Sequence, residues 1–190
     1  RFREGQAPPG ARPLVTWQSR QLSEIIRPLN KWSNNVMSRL LLYTIAQSRY
    51  DPPLTRKQGA RTLRKHLTNR GLDTSALVID NGSGLSRDSR VTARFMVELL
   101  RLAWRSPHMP EYISSLSIAG KDGTTRKRFH GRSESGRMHL KTGRLDDVVA
   151  VAGYVSAKTG KTFIVCMLAN HPGIHRGPGD ELKEALLAWT

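Results

Sequence analysis

Two apolar runs near the C-terminal end constrain the fold of this chain most. Val148 to Val155 and Thr162 to Ala169 are dominated by apolar residues, and the segment between them, Ser156 to Lys161, is polar and carries Gly160. Two such runs joined by a short polar loop predict a β-hairpin. Met138-His139-Leu140, just upstream, predicts a third short strand. The last third is therefore expected to form an antiparallel meander. The residues after Pro178, with Leu182, Ala185, Leu186 and Trp189, predict a closing helix that packs on it.

Upstream the apolar period changes from two to about 3.6. Leu22 to Leu29 is a short helical pattern containing Pro28, with Asn30 as its expected stop. Val36, Met37, Leu40, Leu41 and Ile45 recur at i, i+3, i+4 spacing and predict an amphipathic helix that Ser33 or Asn34 would cap. Pro52-Pro53 ends this unit, and a basic helix follows from about Arg56 to Asn69, closing at Gly71. Ala76 to Ile79 is expected as a short strand leading into the turn-rich Asp80-Asn81-Gly82-Ser83-Gly84. Ser86 or Ser89 would then cap a third helix with Val91, Phe95, Leu99 and Leu102 on one stripe. Residues 106–136, punctuated by glycines, are expected to be irregular, and residues 1–16, with Pro8, Pro9 and Pro13, to form a linker or lead-in. Helices first, then a meander and a closing helix, define an α+β fold with an antiparallel sheet flanked by helices.

Charge narrows the partners. Lys+Arg number 31 against Asp+Glu 15, so the formal net charge is +16, and the imbalance reflects few acids because charged residues are an ordinary 24%. Such a chain is attracted to polyanions: nucleic acid, anionic lipid or an acidic cell-envelope polymer. The basic clusters Arg61-Thr62-Leu63-Arg64-Lys65 and Arg126-Lys127-Arg128 lack interleaved aromatics, and no helix-turn-helix, zinc-finger or RNA-recognition signature is present. Nucleic acid is therefore not the expected partner. The one cysteine, Cys166, excludes an intrachain disulfide and a multi-cysteine zinc site. No apolar run is long enough to cross a membrane as a helix. His171 and His175 have metal-like spacing but sit in a Pro/Gly loop without a carboxylate or cysteine partner, and read as surface histidines. Gly160-Lys161-Thr162 mimics the end of a phosphate loop but lacks its upstream glycine, where Val155 stands.

Two tripeptides carry more when taken together. Ser33-Asn34-Asn35 is a Ser-x-Asn at the head of a helix, and Lys141-Thr142-Gly143 is a Lys-Thr-Gly at a strand end. A second Lys-Thr-Gly, Lys158-Thr159-Gly160, falls in the hairpin loop, where glycine serves the turn. The pair suits acyl transfer. A hydroxyl and a carboxamide can relay a proton and hold a substrate amide, and a lysine beside a hydroxyl seats a terminal carboxylate. A strand edge ending in glycine can take a substrate as an added strand and offer an N–H to an oxyanion.

The sequence resembles the class C low-molecular-mass penicillin-binding proteins, the D-alanyl-D-alanine carboxypeptidase/endopeptidases of the bacterial periplasm. The resemblance rests on Asn30-Lys31-Trp32-Ser33-Asn34-Asn35, Asp80-Asn81-Gly82-Ser83-Gly84-Leu85-Ser86-Arg87 and Asp122-Gly123-Thr124. It continues in Leu140-Lys141-Thr142-Gly143 and Val151-Ala152-Gly153-Tyr154. It implies a serine β-lactamase/DD-peptidase-like fold, no metal or organic cofactor, and peptidoglycan stem peptides as substrate. By the same resemblance Ser33 passes a proton to the leaving amine, and Asn35 hydrogen-bonds the nucleophile's lysine and the substrate amide. Lys141 supplies positive potential and links to Ser33, while Thr142 binds the terminal D-Ala carboxylate. The backbone of Gly143 and Arg144 lines the oxyanion hole and substrate edge. Arg144 departs from the small hydroxyl residue common at that place, and its long side chain is expected to alter carboxylate recognition.

One element of the resemblance is missing. No serine in the chain has a lysine three residues on, whereas the family's nucleophile is a Ser-x-x-Lys. The chain is accordingly expected to be the C-terminal portion, residues 17–190, of a larger catalytic domain. Its N-terminal half would hold the nucleophile and would be needed for acylation by β-lactams. The chain alone is expected to be inactive. The alternatives are a non-catalytic peptidoglycan-binding module and, less favoured by the motifs, a basic nucleic-acid-binding domain.

Overall fold

The structure, a computed structural model, describes residues 5–189. Residues 1–4 of the expected lead-in lie outside the described residues, and residues 5–21 form neither helix nor strand. Among the described residues six α-helices follow in the order α1 (Leu22–Trp32), α2 (Asn35–Gln47), α3 (Arg56–Asn69), α4 (Ala93–Trp104), α5 (Met109–Ser115) and α6 (Pro178–Trp189). Four strands, β1 (Ser117–Ile118), β2 (Met138–Leu145), β3 (Val148–Ser156) and β4 (Thr162–Asn170), form one antiparallel sheet in the order β1-β2-β3-β4. No helix among the described residues is long and apolar enough to cross a membrane.

The expected hairpin is β3–β4, with Val148 opposite Asn170 and Ser156 opposite Thr162. Its β3 reads as a near-continuous apolar run because both of its faces are covered. On one face Val151 and Val155 pack with Met138, Leu140, Val165 and Leu187 of the closing helix α6. On the other, Ala152 and Tyr154 pack with Leu100 of α4 and Leu116. Tyr154 is 1% exposed, and its hydroxyl donates to Leu100 O at 2.7 Å, so the buried phenol keeps a partner. The chain thus has the expected α+β architecture, a sheet sandwiched between helices.

Five local expectations need correction, the fifth of them in β2. The α1 helix does not stop near Asn30 but runs through Pro28 to Trp32. An interior proline costs about 3 kcal/mol, but burying Leu29 returns about 1.5–3 kcal/mol. The hydrogen bonds of the buried Lys31 beyond it add to that return. Ala76 to Ile79 is not a strand. Only Val78 bridges, to Arg90, and the Leu77 carbonyl is taken by the Arg64 guanidinium. The N-cap of α4 is Thr92, accepting from Phe95 N at 3.1 Å. Ser86 is used instead by a local turn, accepting from Asp88 N, and Ser89 accepts from Asp80 N beside the Val78–Arg90 bridge. Residues 106–136 contain α5, β1 and a 3-10 turn at Gly123–Thr125.

The strand β2 continues past the expected Leu140 to Leu145, with Lys141 opposite Ala152 and Arg144 opposite Val149. Its ladder draws hydrogen bonds from β3 and needs no apolar side chains of its own. Gly153, opposite Leu140, fits this crowded pairing because a Cβ there would lie 2.0 Å from His139 O. On the other edge of β2, β1 covers only His139 and Leu140. From Lys141 onward that edge has no strand partner among the described residues.

Candidate active site

Ser33 stands at the junction of α1 and α2 in the left-handed conformation, φ 53° and ψ 51°. The next residue, Asn34, caps α2 by accepting from Met37 N at 3.0 Å. The capping work that the sequence left open between the two thus falls to Asn34, and the Ser33 hydroxyl is free for other contacts. It accepts from Lys141 Nζ at 2.5 Å. An ammonium has only donors, so Ser33 keeps its own proton to give to a third group. Lys141 also donates to Thr142 O at 2.9 Å. Burial lowers the Lys141 pKa from its ordinary 10.5, because a desolvated ammonium is disfavoured.

Ser33, Asn35, Lys141, Thr142, Gly143 and Arg144 all border one cleft of about 550 Å³, as do Ser83 and Thr124. The structure therefore brings every candidate site residue to one place. Asn35, in the first turn of α2, is half-buried, and its carboxamide bonds no described residue. Thr142 Oγ1 lies 3.1 Å from Thr124 Oγ1. The Asp80–Leu85 turn forms another wall: Asn81 Oδ1 accepts from Ser83 N at 3.0 Å, and Ser83 Oγ accepts from Leu85 N at 3.2 Å. The open edge of β2 runs along the same cleft from Lys141. A second cleft, of about 600 Å³, lies between Leu72, Arg94 and Phe95. None of the motif residues borders it.

The Arg144 guanidinium turns away from Lys141 to Asp180, and its Nη1 donates to His175 O at 2.5 Å. Asp180 is shared by Arg144, Arg128 and Lys183. Burial works against its charge, but hydrogen bonds from Lys183, Arg128 and Arg144 outweigh it and hold the carboxyl well below the usual range. Lys158-Thr159-Gly160 sits in the β3–β4 turn, outside the cleft. His175 Nδ1 accepts from Asp147 N at 2.8 Å, which ties down the turn after β2.

Sequence reasoning gave no role to the group that fixes this site from behind. Lys31, 6% exposed, donates to Leu116 O at 2.8 Å and to Asp122 Oδ2 at 2.6 Å, and Asp122 Oδ1 accepts from Ile118 N at 2.7 Å. Gly123, at φ 57°, lies so close to Lys31 O that a Cβ would be 2.7 Å from it. The end of α1 is thereby pinned to β1 and the Asp122–Thr124 turn. Lys31 and Asp122 lie inside motif blocks visible in the sequence, but a lysine on a short helix reads there as solvent-facing.

The chain belongs to the D-Ala-D-Ala carboxypeptidase 3 (S13) family, whose sequence profile matches residues 2–190. It is 34% identical over 168 residues to the D-alanyl-D-alanine carboxypeptidase of Actinomadura sp. strain R39, covering 86% of this chain and 31% of that protein. It is 29% identical over 170 residues to carboxypeptidase DacB of Mycolicibacterium smegmatis, covering 86% of this chain and 37% of that one. The chain thus spans about a third of the length of these relatives. Among solved structures it superposes on penicillin binding protein 4 of Haemophilus influenzae, in complex with a β-lactam, with TM-score 0.79. That match has 22% identity and covers 87% of this chain and 40% of the other. It also superposes on the penicillin G-acylated Bd3459 endopeptidase of Bdellovibrio bacteriovorus, with TM-score 0.71 and 20% identity, over 88% of this chain and 44% of that one. These two matches show the fold, that of the DD-peptidases, and the family match bears out the resemblance to class C penicillin-binding proteins.

Proposed function

We propose that this chain is the C-terminal part of a periplasmic serine D-Ala-D-Ala carboxypeptidase/endopeptidase acting on peptidoglycan stem peptides through an acyl-serine intermediate. The observation that carries the reading is the Lys141 Nζ to Ser33 Oγ hydrogen bond at 2.5 Å, joining residues 108 apart in sequence, inside an S13 chain. No Ser-x-x-Lys occurs among the 190 residues. The nucleophile is therefore assigned to the rest of the full-length protein, and the chain alone is inactive.

In this reading each residue acts as its contacts allow. A substrate peptide lies along the open edge of β2 as an added strand. Thr142 hydrogen-bonds its terminal carboxylate, and the charged Lys141 draws that carboxylate in. Asn35 holds the substrate amide and the nucleophile's lysine. Once the serine attacks, the developing oxyanion meets backbone N–H groups, that of Arg144 among them. The attacking serine's proton passes to its own lysine and on to Ser33, which gives its original proton to the leaving D-Ala amine while still accepting from Lys141, and water then hydrolyses the acyl-serine. β-Lactams, which present a carboxylate beside a strained amide, acylate the same serine.

The test is labelling by a fluorescent penicillin together with release of D-Ala from a D-Ala-D-Ala peptide. Full-length protein containing this chain is expected to do both, and Lys141→Met to lower them by about 10²–10⁴-fold. The 190-residue chain alone is expected to do neither. Saturable peptide binding by the full-length protein without labelling or turnover would overturn the enzyme in favour of a peptidoglycan-binding module.

A further inference from the structure

Thr142 is linked to the buried interior by a line of hydroxyls. Ser117, fully buried, has one proton and donates it to Lys31 O at 3.2 Å. Ser117 Oγ also accepts from Thr124 N at 3.3 Å and lies 3.3 Å from Thr124 Oγ1. Thr124 Oγ1 lies in turn 3.1 Å from Thr142 Oγ1. A hydroxyl has one donor and two acceptor positions, so the directions of these bonds are constrained. With the Ser117 proton spent on Lys31 O, Thr124 is the donor whenever it bonds Ser117. Thr142 must then donate to Thr124. In that arrangement every proton points inward, and Thr142 has none left for a ligand.

A carboxylate in the cleft reverses this. It is an acceptor only, so Thr142 must turn its proton outward, and the vacated position on Thr142 must accept. Thr124 is the neighbour able to supply that hydrogen bond. The bond it gives up on Ser117 is replaced by the one to Thr142, and Ser117 keeps both its bond to Lys31 O and the amide of Thr124. We infer that Thr124 is a positioning residue for carboxylate recognition, its hydroxyl rotating from Ser117 to Thr142 when a terminal carboxylate binds. Two hydroxyl rotations suffice, and no proton changes its oxygen. The inference rests on the proposed function for the identity of the ligand, a peptide ending in D-Ala. The exchange itself depends only on the three hydroxyls.

Binding to the 190-residue chain, followed by the methyl resonances of Thr142 and Thr124, tests the exchange apart from catalysis. The probes are N-acetyl-D-Ala-D-Ala and its C-terminal amide, which has the same shape but no carboxylate. The chain is expected to bind the acid more tightly than the amide. Thr124→Val is expected to weaken the acid about five- to tenfold and leave the amide unchanged. Thr124→Ala, which removes the hydroxyl without a branched replacement, should give the same selective loss, and Thr124→Ser should restore acid binding. Equal weakening of both ligands would make Thr124 merely structural and overturn the inference. Undiminished acid binding in both variants, or no acid binding at Thr142 in the parent chain, would also overturn it. If full-length protein fails to react with penicillin while the chain keeps Thr124-dependent acid binding, the enzyme reading falls and the hydroxyl exchange stands. Full-length acylation without that dependence would keep the enzyme and overturn the exchange.

Discussion

Lys141 and Ser33 share a hydrogen bond of 2.5 Å although 108 residues separate them in sequence. One comes from a strand and the other from the joint between two helices, so the pair exists only when sheet and helical layer are docked. Its chemistry reports on the fold as well as on the reaction.

Lys141 should titrate below the ordinary lysine value of 10.5, because burial disfavours its charge. Between its lowered pKa and 10.5 the unfolded chain holds more protons than the folded one, so this group's contribution makes stability rise with pH across that window. In the proposed mechanism activity moves the other way, since deprotonation removes the positive charge that polarises Ser33 and draws in the substrate carboxylate. Side-chain nitrogen NMR of Lys141 should show the low titration, and the alkaline limb of acylation in the full-length protein should follow it. A midpoint at or above 10.5 would refute the assignment.

Lys31→Met should destabilise the chain by about 2–4 kcal/mol, measured by urea unfolding. Removing one partner of a buried pair strands the other, and the cost is discounted because the Asp122 side chain is 33% exposed. The Leu116 carbonyl would also lose its ammonium donor. Asp122→Asn should cost at least as much, since an amide oxygen kept on Ile118 N turns the amide NH2 toward the more deeply buried Lys31 ammonium.

Asp180 gives the fold an acid limit. Its folded pKa lies below the unfolded value, so its contribution is present above about pH 4 and is lost as pH falls through the depressed folded pKa. Asp180→Asn should flatten that acid limb. At neutral pH it should lower the melting temperature, because Arg144, Arg128 and Lys183 lose their common counter-ion. An acid limb of unchanged steepness in the variant would count against this role for Asp180.

Gly153→Ala should disturb the β2–β3 ladder beside Lys141, since the added methyl would meet His139 O at 2.0 Å. The cost of such overpacking is about 1–3 kcal/mol or more. Amide hydrogen exchange should localise the damage to His139–Lys141 and their partners on β3, and uniform protection there would contradict it.

The two strands with unbroken apolar runs were legible in the sequence within a residue of their observed ends, because their side chains are buried by sheet and helix together. So were α3, from Arg56 to Asn69, and α6 after Pro178. The second half of β2 was not. Lys141, Thr142 and Arg144 face a cleft and a salt-bridge cluster, and nothing in their hydropathy records that their backbone is paired. The Ser33–Lys141 pairing was implied by the family resemblance that the two tripeptides help to carry. Its support was not, because Lys31, Asp122, Ser117 and Thr124 meet only after α1, β1 and β2 have packed.

The left-handed backbone of Ser33 separates the contribution of its hydroxyl from the stability of the joint that carries it. At φ 53° a side chain of any kind is mildly strained, and glycine is at ease there. Ser33→Gly therefore erases the hydroxyl while relaxing the joint that carries it, so lost reactivity with retained or raised melting temperature would be read as lost chemistry alone. The helix corner doubles as a place where function can be switched off without loosening the frame.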